Sequence, residues 1–350
     1  MIHENILYHN IHDLEEVPGM KGTALYRVPE SIRNQLNERA RCVAKQSTGC
    51  EIRFVSDAPH IDAFLTICLP EWGGKGKVRI FKGDYLLQSL DVEPGVFQRL
   101  RLETPAVFKN IDENKIQLNG FSPQVWRICF DQGLGVFHGL DTHGYHVRPP
   151  KDSEMPNIKW LAYGSSITNS NLDGYAHVAA KRLKMDVQNK GLAGSCHLEP
   201  VMAQWLSQTC KWDLITCEMG INMRAYYSPE AFTERAENIL TQLTSDHPDK
   251  PIVAINVYPN VMSQDWVNPN LKDDEEVLRE QAYNRIVPEI VKKNGAKNLH
   301  FVEGTDILDD FTGLSADLLH PDTYGHGVMG HNLAKILKNL LVQRQQLIVG

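Results

Sequence analysis

The strongest constraint on this chain is a change of period at Pro156. Beyond it, short strand-like runs alternate with helical patterns: 158–163 then 174–184, 186–189 then 200–209, 213–218 then 229–243, 252–258 then 273–293, and 298–302 then 328–342. Repeated strand–helix units predict a parallel, doubly wound sheet in a three-layer α/β/α sandwich, with helices on both faces. Ser228-Pro229-Glu230 supports the helix starts, placing a capping hydroxyl ahead of a proline at the first helical position.

Before Pro156 the pattern is β throughout. Residues 51–55 and 77–81 alternate, 61–69 is rich in β-formers, and further short runs cover 85–92, 97–102 and 125–130. Turn signals separate them at Ser56-Asp-Ala-Pro59, Trp72-Gly-Gly-Lys-Gly76, Lys82-Gly-Asp84 and Glu93-Pro-Gly95. This spacing predicts a jelly-roll-like sandwich. One helix is expected over 29–41, with Leu36 and Ala40 on one face. Gly133 to Gly144 is glycine-rich but no helix follows it, so it is no phosphate loop. Arg148-Pro-Pro-Lys-Asp-Ser-Glu-Met-Pro156 has the composition of a linker. The expected domains are therefore residues 1–150, all-β, and 151–350, α/β.

A 350-residue chain with 42% hydrophobic and 23% charged residues is an ordinary globular protein of about two domains. Its net charge of −7, with both signs mixed, argues against nucleic acid and anionic membranes as partners. No apolar run reaches membrane-spanning length, and the first ten residues lack the basic-then-apolar order of a signal peptide. Seven scattered cysteines without CxxC spacing suit reduced, buried thiols. Together these predict a cytoplasmic protein.

In a doubly wound sheet, ligands meet the loops at the carboxyl ends of the strands. Those loops carry Gly164-Ser-Ser166, Gly191-Leu-Ala-Gly194-Ser195, Gly220-Ile-Asn222 and Asp317-Leu-Leu-His320. The set contains a hydroxyl nucleophile, glycine amides, a side-chain amide, an acid and a base. In this order it resembles the SGNH (GDSL-type) hydrolase family, over roughly residues 158–341. That family has a serine after strand one, a glycine after strand two, Gly-x-Asn after strand three and Asp-x-x-His near the C-terminus.

The resemblance implies an SGNH, flavodoxin-like catalytic domain without a cofactor. It implies Ser166 as nucleophile, His320 as its base and Asp317 as the acid that orients the imidazole. The oxyanion hole would be the N–H groups of Ser166 and Gly194 and the side-chain amide of Asn222. Gly194 is preferred to Gly191 because the family's glycine directly precedes a small polar residue. Two positions depart from the pattern: Ser165 and Met223 stand where aspartates are usual. A sandwich ahead of such a domain is similar to bacterial carbohydrate esterases. The implied activity is therefore removal of acetyl groups from acetylated xylo-oligosaccharides, by a chain expected to form a homo-oligomer. The alternatives are a thioesterase or lysophospholipase with a longer acyl pocket, and a carbohydrate-binding protein with a vestigial site.

Other polar clusters read as less chemical. His138, His143 and His146, with Asp141, match no standard zinc spacing. His326 and His331 are expected to decorate the last helix. Asp273 to Glu276 is a charge run suited to a helix N-terminus. Tyr226, Tyr227 and Trp266 lie in loops where an acyl or sugar platform could form.

Overall fold

The computed structural model describes residues 1–68, 76–112, 120–263 and 266–349. The chain divides into two units: Met1–Asn34 with Arg41–Asn157 and Lys184–Gln188, and Gln35–Ala40 with Ile158–Leu183 and Asn189–Gly350.

The first unit carries strands β1 (Ile2–His3), β2 (Ile6–His9), β3 (Asp13–Val17), β4 (Met20–Tyr26), β5 (Glu51–Phe54) and β6 (His60–Cys68). It continues with β7 (Gly76–Lys82), β8 (Tyr85–Val92), β9 (Gln98–Glu103), β10 (Trp126–Phe130) and β11 (Leu134–Asp141). They form two sheets, in the orders β1-β2-β5-β10-β7-β8 and β3-β4-β11-β6-β9. Each neighbouring pair is antiparallel. Alternation sends Ile52, Phe54, Ile80 and Ile128 of one sheet into the same core as Ile61, Ala63, Leu65 and Leu100 of the other. On the opposite face of β5, Arg53 forks onto both oxygens of Asp186 at 2.8 and 2.6 Å. Beside it, Arg127 forks onto Glu51 at 2.7 and 2.6 Å.

One local expectation differs from this structure, and two stretches form strands that were not separately expected. The helix expected over 29–41 is two short ones, α1 (Glu30–Arg33) and α2 (Glu38–Val43). Asn37 interrupts it: its Oδ1 accepts the Ala40 N–H at 2.9 Å, capping α2 afresh. The glycine-rich stretch from Gly133 is strand β11, irregular at Phe137/Gly139, where Gly139 takes a φ of 128°. The first 26 residues, within the expected all-β domain but without separately expected strands, form β1 to β4. Most of the turn expected at 72–76 lies outside the described residues.

The second unit follows the strand–helix alternation. It runs β12 (Lys159–Gly164), α3 (Tyr175–Leu183), β13 (Asp186–Gly191, whose first three residues belong to the first unit), α4 (Pro200–Gln208), β14 (Leu214–Glu218) and α5 (Pro229–Asp246). After these come β15 (Ile252–Ile255), α6 (Glu275–Asn294), β16 (Leu299–Val302), α7 (Gly304–Ile307) and α8 (Thr323–Val349). The sheet order β13-β12-β14-β15-β16 is the flavodoxin-like 2-1-3-4-5 order. The pairs β12–β14, β14–β15 and β15–β16 are parallel. Every residue of β14 and β15 is buried, as a sheet covered on both faces requires. Helix α3 packs on α8, and α4, α5 and α6 pack in succession. Asp274, from the acidic run, caps α6 by accepting the Glu276 N–H. Among the described residues no helix is long and apolar enough to cross a membrane.

Candidate active site

Strand β12 ends at Gly164, and the chain turns at once. Asn169 N–H closes on the Ser165 carbonyl at 2.9 Å, and Ile167 N–H reaches Ser165 Oγ at 3.3 Å. Ser165 thus caps the turn as a serine or aspartate at a helix start would. Its own N–H donates to Glu218 Oε2 at 2.6 Å. Ser166, between these engaged neighbours, is half-buried, and its Oγ lies 2.7 Å from His320 Nε2.

The imidazole comes from a tight turn ahead of α8. A bridge joins Leu314 to Pro321, and Ser315 N–H bonds the His320 carbonyl at 2.8 Å. Inside this turn Leu318 holds a left-handed φ of 53°, its carbonyl tied to Val261 N–H at 2.9 Å. Such a conformation is costly for a branched side chain and persists only where the surroundings enforce it. It lets one aspartate serve the whole turn. Asp317 Oδ1 accepts from Ser315 Oγ at 2.8 Å and from the N–H groups of Leu319 and His320 at 3.0 and 2.9 Å. Asp317 Oδ2 lies 2.7 Å from His320 Nδ1. Burial would raise this carboxyl, but the donors from His320, Leu319 and Ser315 outweigh it and hold the group well below the usual carboxylate range. An ionised carboxylate only accepts, so Nδ1 carries the proton and the Nε2 lone pair faces Ser166.

The two remaining loops meet through Asn222. Its Oδ1 accepts the Cys196 N–H at 3.1 Å, which leaves the amide NH2 as the donor end. Two residues before Cys196, Gly194 adopts a φ of 64°, and a Cβ there would lie 2.5 Å from the Arg39 guanidinium. Gly191 is a glycine for a different reason: a side chain would strike the backbone of Thr168 and Asn169. Met223, at the second departure from the family pattern, is fully buried, and its N–H bonds Gly220 O at 2.8 Å. The structure therefore joins Ser166, His320 and Asp317 directly, and ties Asn222 to the loop of Gly194.

Several of the other candidates have structural partners. His138 bonds Thr66 Oγ1 at 2.8 Å, and His143 lies 3.3 Å from Asp62 and 3.7 Å from Asp141. Among the described residues no group of three or more His, Cys, Asp or Glu side chains is disposed to hold a metal. His326 receives the Tyr175 N–H at 3.3 Å, and burial with the nearby His320 pushes its pKa down to about 4. Trp266 stacks on Phe311 at 4.0 Å between ring centres. Tyr226 is 73% exposed, its ring 5.7 Å from that of His197, and Tyr227 lies 5.2 Å from the same imidazole. Two residues at this site belong to no motif, Glu218 and Arg39, and Leu318 fills an unspecified place within one. Only Glu218 leaves a trace in the sequence, as a lone carboxylate ending an apolar run.

A family model described as the GDSL-like Lipase/Acylhydrolase family matches residues 159–338. Among solved structures, the chain is similar to the salicylyl-acyltransferase SsfX3 from a tetracycline biosynthetic pathway. The two share 16% identity over 97% of this chain and 96% of that one, with a TM-score of 0.79. It is similar to a family two carbohydrate esterase from Clostridium thermocellum at 15% identity, over 96% of this chain and 98% of that one, with a TM-score of 0.60. A third likeness is to the acetyl xylan esterase Est2A from the rumen bacterium Butyrivibrio proteoclasticus. It has 12% identity over 84% of this chain and 90% of that one, with a TM-score of 0.53. At such identities the likeness is one of fold. No curated protein matches the sequence.

Proposed function

The chain belongs to the GDSL-like lipase/acylhydrolase family, and from that premise we propose that it hydrolyses carboxylic esters through an acyl-enzyme on Ser166. The observation that carries this is the continuous line of 2.7 Å contacts from Ser166 Oγ through the His320 ring to Asp317. Ser166 Oγ attacks the ester carbonyl carbon as His320 Nε2 takes its proton. The C–O bond to the alcohol then breaks, and the alcohol leaves with that proton. Water attacks the acyl-enzyme, His320 accepts its proton and returns it to Ser166, and the carboxylic acid departs. Ser166 N–H, Gly194 N–H and the Asn222 amide stabilise the oxyanion in both steps.

For substrate we propose acetyl esters of short carbohydrates. The aromatic faces of Tyr226 and Tyr227, beside His197, suit the apolar face of a sugar ring. Residues 151–350 would form the catalytic domain and residues 1–150 a jelly-roll-type sandwich, in a cytoplasmic homo-oligomer needing no cofactor. The test is a screen of acetylated xylo-oligosaccharides, glucose pentaacetate and p-nitrophenyl esters of increasing chain length, with wild type and Ser166→Ala. Fastest turnover on acetyl esters, lost in Ser166→Ala, is expected; a peak at octanoate or above would replace acetyl specificity with a long acyl chain. Running the assay with added alcohols scores the acceptor, since a named relative in fold is an acyltransferase.

A further inference from the structure

Strand β14 is apolar along most of its length, yet it ends in Glu218, a carboxyl only 1% exposed. A carboxyl group buried at this depth needs donors. It has two, both on one oxygen: Ser165 N–H at 2.6 Å and Thr168 Oγ1 at 3.3 Å. The other oxygen, Oε1, has no partner among the described residues. Thr168 is itself held by Tyr175 OH at 2.8 Å. The titratable groups around the carboxyl are Tyr175, Tyr258 and Cys196, all raised by burial and so neutral, and no cation is among its hydrogen-bond partners. Gly164 is what lets the carboxyl come so close, since a Cβ there would lie 2.5 Å from Glu218 Oε2.

The N–H groups of the turn can be accounted for one by one. Ser165 N–H goes to Glu218, Ile167 N–H to Ser165 Oγ and Asn169 N–H to the Ser165 carbonyl. Ser166 N–H lies between the first two and has no partner among the described residues. A peptide plane whose neighbours are anchored on both sides has its own N–H direction fixed.

We propose that Glu218 is a positioning residue for the nucleophile: by holding Ser165 N–H it fixes the peptide that presents both Ser166 Oγ and the Ser166 N–H to the reacting carbonyl. The proposal rests on the assignment of Ser166 as nucleophile. Glu218 acts as an acceptor, and a neutral side chain of the same shape does the same work. Burial raises its carboxyl above the usual range against the pull of the donors on Ser165 and Thr168.

The test compares Glu218→Gln, Glu218→Leu and Thr168→Val with wild type, on p-nitrophenyl acetate and by the rate of fluorophosphonate labelling of Ser166. Glu218→Gln keeps the acceptor and should stay within about 3-fold of wild type in kcat. Glu218→Leu should lose about 100-fold in kcat, with KM within about 3-fold and labelling slowed in parallel. Thr168→Val removes one donor from the same oxygen and should cost about 3- to 10-fold in kcat, an arm that stands even if Glu218→Leu does not fold. Wild-type kcat in a folded Glu218→Leu, unchanged kcat in Thr168→Val, equal losses in the Gln and Leu variants, or a loss confined to KM would each overturn the proposal. Wild-type enzyme that fluorophosphonate fails to label, or activity surviving in Ser166→Ala, would instead refute the assignment of the nucleophile.

Discussion

Asp317→Asn is the sharpest perturbation of the site because the structure dictates how the new amide must sit. Asp317 Oδ1 receives three donors, Ser315 Oγ and the N–H groups of Leu319 and His320, all within 3.0 Å. Two of these are backbone groups that cannot reverse, so the asparagine oxygen must take this place and its NH2 must face His320 Nδ1. That ring nitrogen then has to accept, the proton moves to Nε2, and the imidazole offers Ser166 a donor where a base is needed. A wrong tautomer of this kind costs about 10⁴ in kcat, or about 5.4 kcal/mol at about 1.36 kcal/mol per tenfold. Stability should barely change, because every bond to Oδ1 survives. Asp317→Ala inverts the pattern of stability: the three donors lose their acceptor, and in a half-exposed turn they recover most of it from water. A cost of about 1–2 kcal/mol remains, a fall in Tm of about 2–8 °C. Both variants are assayed for p-nitrophenyl acetate hydrolysis and by thermal melting. The reasoning fails if Asp317→Asn keeps more than a tenth of wild-type kcat, or if it melts as low as Asp317→Ala.

Four further outcomes follow from the same geometry. Asn222→Ala should lower kcat by about 100- to 1000-fold, about 2.7–4 kcal/mol, with Tm little changed; a loss below about 5-fold would remove Asn222 from the oxyanion hole. Against burial, the donors from His320, Leu319 and Ser315 hold the Asp317 carboxyl well below the usual carboxylate range, so it should stay ionised from pH 5 to 9; a carboxyl carbon resonance of Asp317 that titrates within that range would contradict this. Burial raises the Glu218 carboxyl in the folded state, so the unfolded chain gives up that proton first and rising pH favours unfolding. The Tm of wild type should therefore fall relative to Glu218→Gln as pH climbs above about 4.3, and a constant difference from pH 4 to 8 would contradict this. Asp186→Ala strips the 1% exposed Arg53 of its bidentate partner and should cost about 3–5 kcal/mol in denaturant unfolding of the first unit, whereas a change under about 1 kcal/mol would mean that water replaces the carboxylate.

The α/β half was legible because its strands are buried on both faces. A run such as Leu214 to Cys217 has no polar alternation to confuse it, and helix starts such as Ser228-Pro229 announce themselves. The β half was legible only where alternation is clean. Strand β3 reads Asp-Leu-Glu-Glu-Val, and each of its residues is at least partly exposed, so its membership of a sheet rests on pairing with β4 rather than on its own composition. Strand β11 was hidden by its glycines, one of which, Gly139, sits where the register with β6 shifts.

The site divides along a similar line. Ser166, Gly194, Asn222, Asp317 and His320 each lie between the carboxyl end of a strand and the next long helix, in the one kind of loop where a doubly wound sheet can place chemistry, so topology and residue type agree. What sequence spacing could not express is support that arrives from another strand. An aspartate at position 165 would offer a cap for Ile167 N–H and a carboxylate at the turn in one side chain. Here those needs are split: Ser165 Oγ supplies the cap, and Glu218, 53 residues further on, supplies the carboxyl that holds Ser165 N–H. A serine at position 165 is thus a loss of function only when the turn is read alone. With β14 lying against β12, the same substitution leaves the Ser166 peptide anchored on both sides.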